Sequence, residues 1–186
     1  MECYPDPQGA LSGWQISQAL INAVSGWACA GIQTARRWSP GTTITWAGKW
    51  DTYPGVTAIN LLMSDGWTSE IDLTEANASV KGGPSDQYEV TFMTNQGGNK
   101  SQQSTENTGQ DFSQPHLWQA KWTLSGTVLT CDGKLVAQSG FVNNANQFWT
   151  IQPQTGDPNT PGPDASITAA NPITQYLDWV CFDVPG

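Results

Sequence analysis

Basic residues are scarce in this chain: two arginines and five lysines stand against 16 acidic residues, a net charge of −9 over 186 residues. So few cations argue against nucleic acid or an anionic membrane surface as a partner, because both are gripped through lysine and arginine. Charge of either sign is thin, at 12% of residues, about half of the roughly 25% usual in soluble domains. Long apolar runs are also missing. The longest, residues 58–63, is broken by Asn60 and falls far short of the about 20 residues that span a bilayer as a helix. The four cysteines, Cys3, Cys29, Cys131 and Cys181, are spaced too widely for a zinc knuckle. They permit two disulfides in three alternative pairings, or buried thiols. The opening Met-Glu-Cys-Tyr-Pro-Asp-Pro-Gln has neither the basic start nor the apolar stretch of a secretion signal. An extracellular or virion-associated protein would then be a trimmed segment, part of a longer chain or assembly, or a product of lysis.

What is present instead is polar and uncharged. Ser, Thr, Asn and Gln total 61 residues, accompanied by ten tryptophans. Amides and hydroxyls make hydrogen bonds and indole faces stack, a composition suited to neutral sugar. A hydrophobic content of 38% is enough for a core, and the length suits one domain, expected to be monomeric. Nineteen glycines and twelve prolines cut the chain into short segments. Several of these alternate as strands do: Thr43-Ile44-Thr45-Trp46, Tyr88-Glu89-Val90-Thr91-Phe92, Thr127-Val128-Leu129-Thr130 and residues 176–184. Asp132-Gly133, between two such runs, is a two-residue hairpin signal. Residues 15–23 alone read as helical; 96–114 and 154–165 read as loops. The pattern predicts an all-β sandwich or barrel.

In a chain poor in acids, three fall within six residues: Glu70-Ile71-Asp72-Leu73-Thr74-Glu75. On a strand, Glu70 and Asp72 share one face while Ile71 and Leu73 point to the other. Glu75 breaks the parity, and one extra residue bulged at Leu73 or Thr74 would restore it. Carboxylates gathered on one face repel, which a purely structural strand has no reason to tolerate. Acid–base chemistry uses that repulsion, because close carboxylates push their pKa values apart. Retaining glycoside hydrolysis needs such a pair, with its carboxyl groups about 5–5.5 Å apart. A solvated acidic edge or a metal-binding group is the alternative that spacing alone leaves open.

The hexapeptide resembles the bulged ExDxxE signature of glycoside hydrolase family 16. The resemblance continues in order along the chain. Gly55-Val56-Thr57-Ala58-Ile59-Asn60-Leu61-Leu62-Met63 resembles the strand before the catalytic one, and Thr94-Asn95-Gln96-Gly97-Gly98 the segment after it. His116-Leu117-Trp118-Gln119-Ala120-Lys121-Trp122 and the Asp132-Gly133 hairpin follow, then Asn171-Pro172 and Leu177-Asp178-Trp179-Val180. Together these span residues 27–184. The resemblance implies a concanavalin-like jelly-roll β-sandwich with a concave substrate face, and endo-acting, retaining cleavage of a β-glucan or β-galactan. Glu70 would be the nucleophile, Glu75 the general acid/base, and Asp72 the carboxyl between them. Trp67 would stack on a sugar near the cleavage point, and Asn95 would contact substrate. Gln33 stands where lichenases carry an arginine, Asn60 where many relatives carry an aromatic, and Gln152 or Gln154 where an asparagine usually meets the sugar. These departures put the substrate, not the catalytic signature, in question. His116, the single histidine, would orient a loop or touch the site rim. No cofactor is needed for catalysis, but many relatives hold a structural calcium on the convex face. Asp178 matches its carboxylate, with backbone oxygens near the N-terminus completing the set. The altered lining also admits a non-catalytic glycan-binding module on the same fold.

Overall fold

A computed structural model describes residues 1–4, 14–22, 26–29, 31–50, 57–76, 89–96, 99–141, 143–154, 170 and 173–185. In chain order the strands are β1 Glu2–Tyr4, β2 Trp14–Asn22, β3 Gly26–Cys29, β4 Ile32–Gln33, β5 Thr43–Trp50, β6 Thr57–Met63 and β7 Ser69–Ala76. Then come β8 Glu89–Gln96, β9 Asn99–Asn107, β10 His116–Thr123, β11 Gly126–Cys131, β12 Lys134–Ser139, β13 Phe148–Gln154 and β14 Ile173–Asp183. A 3-10 turn, Asp65–Trp67, precedes β7. Among the described residues no helix is long and apolar enough to cross a membrane.

All of these strands pair antiparallel, in two sheets. One runs β12-β11-β10-β5-β14-β2-β3, with β1 also on β14; the other runs β4-β13-β6-β7-β8-β9. Their facing sides enclose one apolar core, the jelly-roll β-sandwich that the strand pattern and the family resemblance lead one to expect. Residues 43–50 alternate half-buried and buried without a break. Their inward members Ile44, Trp46 and Trp50 meet Trp118 and Trp122 from β10. Trp46 and Trp118 are partners across the ladder, and their rings stack with centroids 6.0 Å apart. Trp38 stacks on Phe182 at 4.1 Å. Six of the ten tryptophans are thus buried core residues, which corrects the reading of this composition as mainly a sugar-stacking surface. The Asp132-Gly133 hairpin forms as expected, with φ of 49° and 76°, both positive as a type I′ turn requires.

Two local expectations are overturned. Of residues 15–23, read as helical, 15–22 belong to strand β2, which ladders onto β14 and β3, and 23 lies outside the described residues; cross-strand pairing overrides a weak local preference. The polar stretch 96–114, read as a loop, contains β9, paired from Asn99 to Asn107 with β8 apart from a register shift at Ser101. Of 154–165, only the end of β13 lies within the described residues. Cys3 and Cys181, opposite one another on β1 and β14, form a disulfide. Cys131 is a buried free thiol, its pKa pushed up to about 12, first by burial and then by the Asp132 charge. The Cys29 side chain lies outside the described residues.

Candidate active site

The acid strand β7 lies between β6 and β8, and its ladders are interrupted at one place. On β6, Asn60 pairs with Thr74 and Leu61 with Asp72, so Leu73 is passed over. On β8, Met93 pairs with Asp72 and Thr91 with Glu75, so Leu73 and Thr74 together oppose one residue. This is a β-bulge at the two positions that parity demands. Its effect can be read from the partners. Glu70, Asp72 and Glu75 face Met63, Leu61 and Ile59 on β6, and Asn95, Met93 and Thr91 on β8. Each partner set steps by two, so the three acid positions share one face of the sheet. Ile71 and Leu73 enter the inter-sheet core, leaving the acids on the face turned away from it.

Rows of paired residues carry this face across the sheet. Glu70 lies in a row with Phe148, Met63, Asn95 and Lys100, and Asp72 in a row with Gln33, Thr150, Leu61, Met93 and Gln103. Glu75 lies in a row with Gln152, Ile59, Thr91 and Thr105. The register therefore gathers Gln33, Glu70, Asp72, Glu75, Asn95 and Gln152 on one face. The side chains of Trp67, Glu75, Asn95 and Gln152 lie outside the described residues. Asp72 is a buried carboxyl at 2% exposure, Glu70 is half-buried and Gln33 exposed. Leu61, Met63 and Phe148 form a small apolar cluster of their own beside the acids. Lys100, Gln103 and Thr105 are additions from β9, and no hydrophobic alternation in the sequence marks that strand.

Asn60 is not part of this face. It pairs with Ile151 and Thr74, is fully buried, and donates a 2.6 Å hydrogen bond from Nδ2 to Thr74 Oγ1. Its parity is that of the core residue Leu62, so the substrate-binding expectation for Asn60 is corrected to a structural one. His116 sits in the other sheet, opposite Gly48. Its Nδ1 lies 2.7 Å from Asp132 Oδ2 and its Nε2 2.9 Å from the Asp111 carbonyl. The ring thus ties the loop before β10 to the β11–β12 hairpin, a loop-orienting position and not one on the acid face. Asp132 also accepts the Leu117 amide. Burial pushes the Asp132 carboxyl up, but the hydrogen bonds from Leu117 and His116 outweigh it and hold the group below the usual carboxylate range.

Asp178 is exposed on β14, at a register shift where Leu177 and Trp179 pair with consecutive residues of β5. It offers one carboxylate on the sheet that does not carry the acids. The N-terminal oxygens expected to complete a calcium site fall largely outside the described residues. Among those residues, the one cluster of three His, Cys, Asp or Glu is His116, Cys131 and Asp132, and both ring nitrogens of His116 are already hydrogen-bonded.

Neither a protein-family model nor a curated protein sequence matches the chain. Solved structures do. Bacillus licheniformis β-glucanase aligns over 94% of this chain and 80% of its own, at TM-score 0.77 and 17% identity. A β-1,3-1,4-glucanase (lichenase) from a mouse hindgut metagenome aligns over 92% and 79%, at TM-score 0.76 and 18% identity. The laminarinase catalytic domain of Thermotoga maritima aligns over 95% and 79%, at TM-score 0.76 and 16% identity. At these identities the likeness establishes the fold, which is that of the β-glucanase structures.

Proposed function

We propose that the chain is an endo-acting retaining glycoside hydrolase of the family 16 type, cleaving a β-linked glucan or galactan by double displacement. The observation that carries this reading is the bulge, which aligns Glu70, Asp72 and Glu75 on one face. In the first step the Glu70 carboxylate attacks the anomeric carbon while Glu75 protonates the departing glycosidic oxygen, leaving a glycosyl ester on Glu70. In the second, Glu75 takes a proton from water, whose oxygen displaces Glu70 and restores the original configuration. Asp72 stands between the two and holds Glu70 in its attacking position. The backbones at Glu70 and Glu75 are separated by the four-residue step from Met63 to Ile59, about 13 Å at about 3.3 Å per residue. The two glutamate side chains must close that gap in the reacting complex.

The face suits a neutral polymer. Gln33, Thr150, Asn95, Gln103, Thr105 and Gln152 occupy its rows, and Lys100 is the one cationic position in them among the described residues. Heavily sulfated chains ordinarily require several cations. The Cys3–Cys181 disulfide supports an extracellular or virion-associated setting, since such bonds persist in oxidising surroundings. The test is a panel of β-1,3-glucan, mixed-linkage glucan and agarose with reducing-end release as readout. Glu70→Ala should lose turnover, and added azide should restore part of it as a glycosyl azide; unimpaired cleavage by Glu70→Ala refutes the assignment. Inverted products would exclude double displacement, and tight glycan binding without any cleavage would favour the non-catalytic module.

A further inference from the structure

Arg37 lies just past β4, outside every motif discussed above, yet all three of its guanidinium nitrogens make hydrogen bonds. Its Nη2 donates to Asp65 Oδ1 at 2.7 Å, and its Nε lies 3.2 Å from both carboxylate oxygens. Its Nη1 donates to the Ala35 carbonyl at 2.9 Å. The guanidinium carbon stands 4.8 Å from the centroid of the Phe148 ring, and Phe148 heads the row that contains Glu70. Asp65 opens the 3-10 turn Asp65–Trp67, which is closed from within by the Ser64 amide on the Ser69 carbonyl at 2.8 Å and by Ser64 Oγ and Thr68 Oγ1 at 3.1 Å. Gly66, in that turn, has φ of +75°, a conformation with little local cost only for glycine. The turn delivers Trp67 three residues before Glu70. One side chain therefore ties three pieces together: the segment after β4, the start of β13, and the turn entering the acid strand.

We propose that Arg37 is a positioning residue for saccharide binding: its fork on Asp65 and its seat on Phe148 hold the 64–69 turn, and with it Trp67, at the end of the Glu70 row. This rests on the glycan-acting reading above. The Arg37 side chain is 32% exposed and that of Asp65 73%, so the ion pair adds little to global stability. What a forked, planar grip supplies is direction, which a lysine could not reproduce. The Asp65 carboxyl is held below its usual range, chiefly by the hydrogen bond from Arg37, so the grip stays charged across neutral pH.

The experiment compares the wild type, Arg37→Ala, Trp67→Ala and the double variant on laminarihexaose and a mixed-linkage glucan hexasaccharide. Arg37→Ala should raise KM and Kd about three- to tenfold, the span of one aromatic contact, with kcat within about twofold. The double variant should match Trp67→Ala alone, because Arg37 acts through that turn. Amide exchange at Ser64 should quicken in Arg37→Ala while the melting temperature barely moves. Unchanged Ser64 exchange, an oligosaccharide Kd indifferent to Arg37, or additive losses in the double variant would each overturn the proposal. A wild type that binds these sugars with the expected Arg37 dependence but cleaves none refutes the hydrolase reading alone.

Discussion

Removing the Cys3–Cys181 bridge tests how far the two ends of the chain act as one folding unit. The bond joins residues 178 apart in sequence, so in the unfolded chain it closes a loop of nearly the full length. Loop-closure entropy for about 178 residues corresponds to about 5 kcal/mol at 25 °C. Unfolding entropy is about 2.1 cal/mol/K per residue, about 0.4 kcal/mol/K for a chain of this length, so the loss predicts a melting temperature lower by about 13 °C. The native side of the balance is small, because β1 is only three residues and is held to β14 through Glu2–Phe182, Cys3–Cys181 and Tyr4–Val180. Scanning calorimetry of the oxidised protein, the reduced protein and Cys3→Ala/Cys181→Ala provides the measurement. Agreement of calorimetric and van't Hoff enthalpies establishes that each melts as one unit. If verified loss of the bond shifts the midpoint by less than about 3 °C, the loop-entropy reasoning fails. In that case β1 frays separately, and the bond only tethers it to a sandwich that melts by itself.

Four further outcomes follow from particular residues. Thr74→Ala leaves the fully buried Asn60 amide without its acceptor; the urea midpoint should fall by the equivalent of about 1–3 kcal/mol, while Thr74→Ser should keep most of the stability. Equal losses from Ala and Ser would dispose of the hydrogen bond as the cause. The Asp132 carboxyl, lowered in the fold, contributes stability that is fully present above its unfolded pKa of about 3.9 and is lost as pH falls through the folded value. Asp132→Asn should therefore flatten the acid limb of the urea midpoint below about pH 4, and an unaltered limb would contradict the assignment. Gly126→Ala places a Cβ 2.0 Å from the Ser139 carbonyl oxygen at φ of +130°, for an expected loss of about 3 kcal/mol or more in denaturant unfolding. Gly133→Asn, at φ of +76° with open space around it, should stay within about 1 kcal/mol of the wild type.

The parts of the fold that could be read from sequence are those whose information is local. Thr43-Ile44-Thr45-Trp46 alternates because one face of β5 is buried and the other is not. Asp132-Gly133 signals its turn because few other residue pairs adopt two successive positive φ angles. The bulge in β7 is local in the same way: acids at 70, 72 and 75 with apolar neighbours at 71 and 73 fit a half-buried strand only if one residue is added. The strand β9 is the opposite case. Asn99–Asn107 contains no apolar residue, so hydrophobic periodicity has nothing to register, and its identity comes from pairing at the edge of the sheet. For β2 the deciding information is also remote, in β14 more than 150 positions along the chain.

The same distinction explains why residue type alone does not place the site amides. Asn60 and Gln33 are both amides and equally plausible as sugar ligands by residue type. Their difference is parity relative to the acids: Gln33 lies in the Asp72 row, while Asn60 pairs with Thr74 within the bulge. Residue 60 keeps step with Leu62, so any register that seats Leu62 in the core takes Asn60 there too, and its amide then needs a buried partner, which Thr74 provides. Asn60 is thus assigned to the core and not to the acid face by a pairing 14 residues away, not by its chemistry. The tryptophans obey the same logic. Trp46, Trp50, Trp118 and Trp122 follow the inward parity of their strands and fill the core, whereas Trp67 sits in a turn, where strand parity places no constraint on it. A turn tryptophan needs something else to set its direction, and the forked contact between Arg37 and Asp65 is the feature that holds that turn beside the Glu70 row.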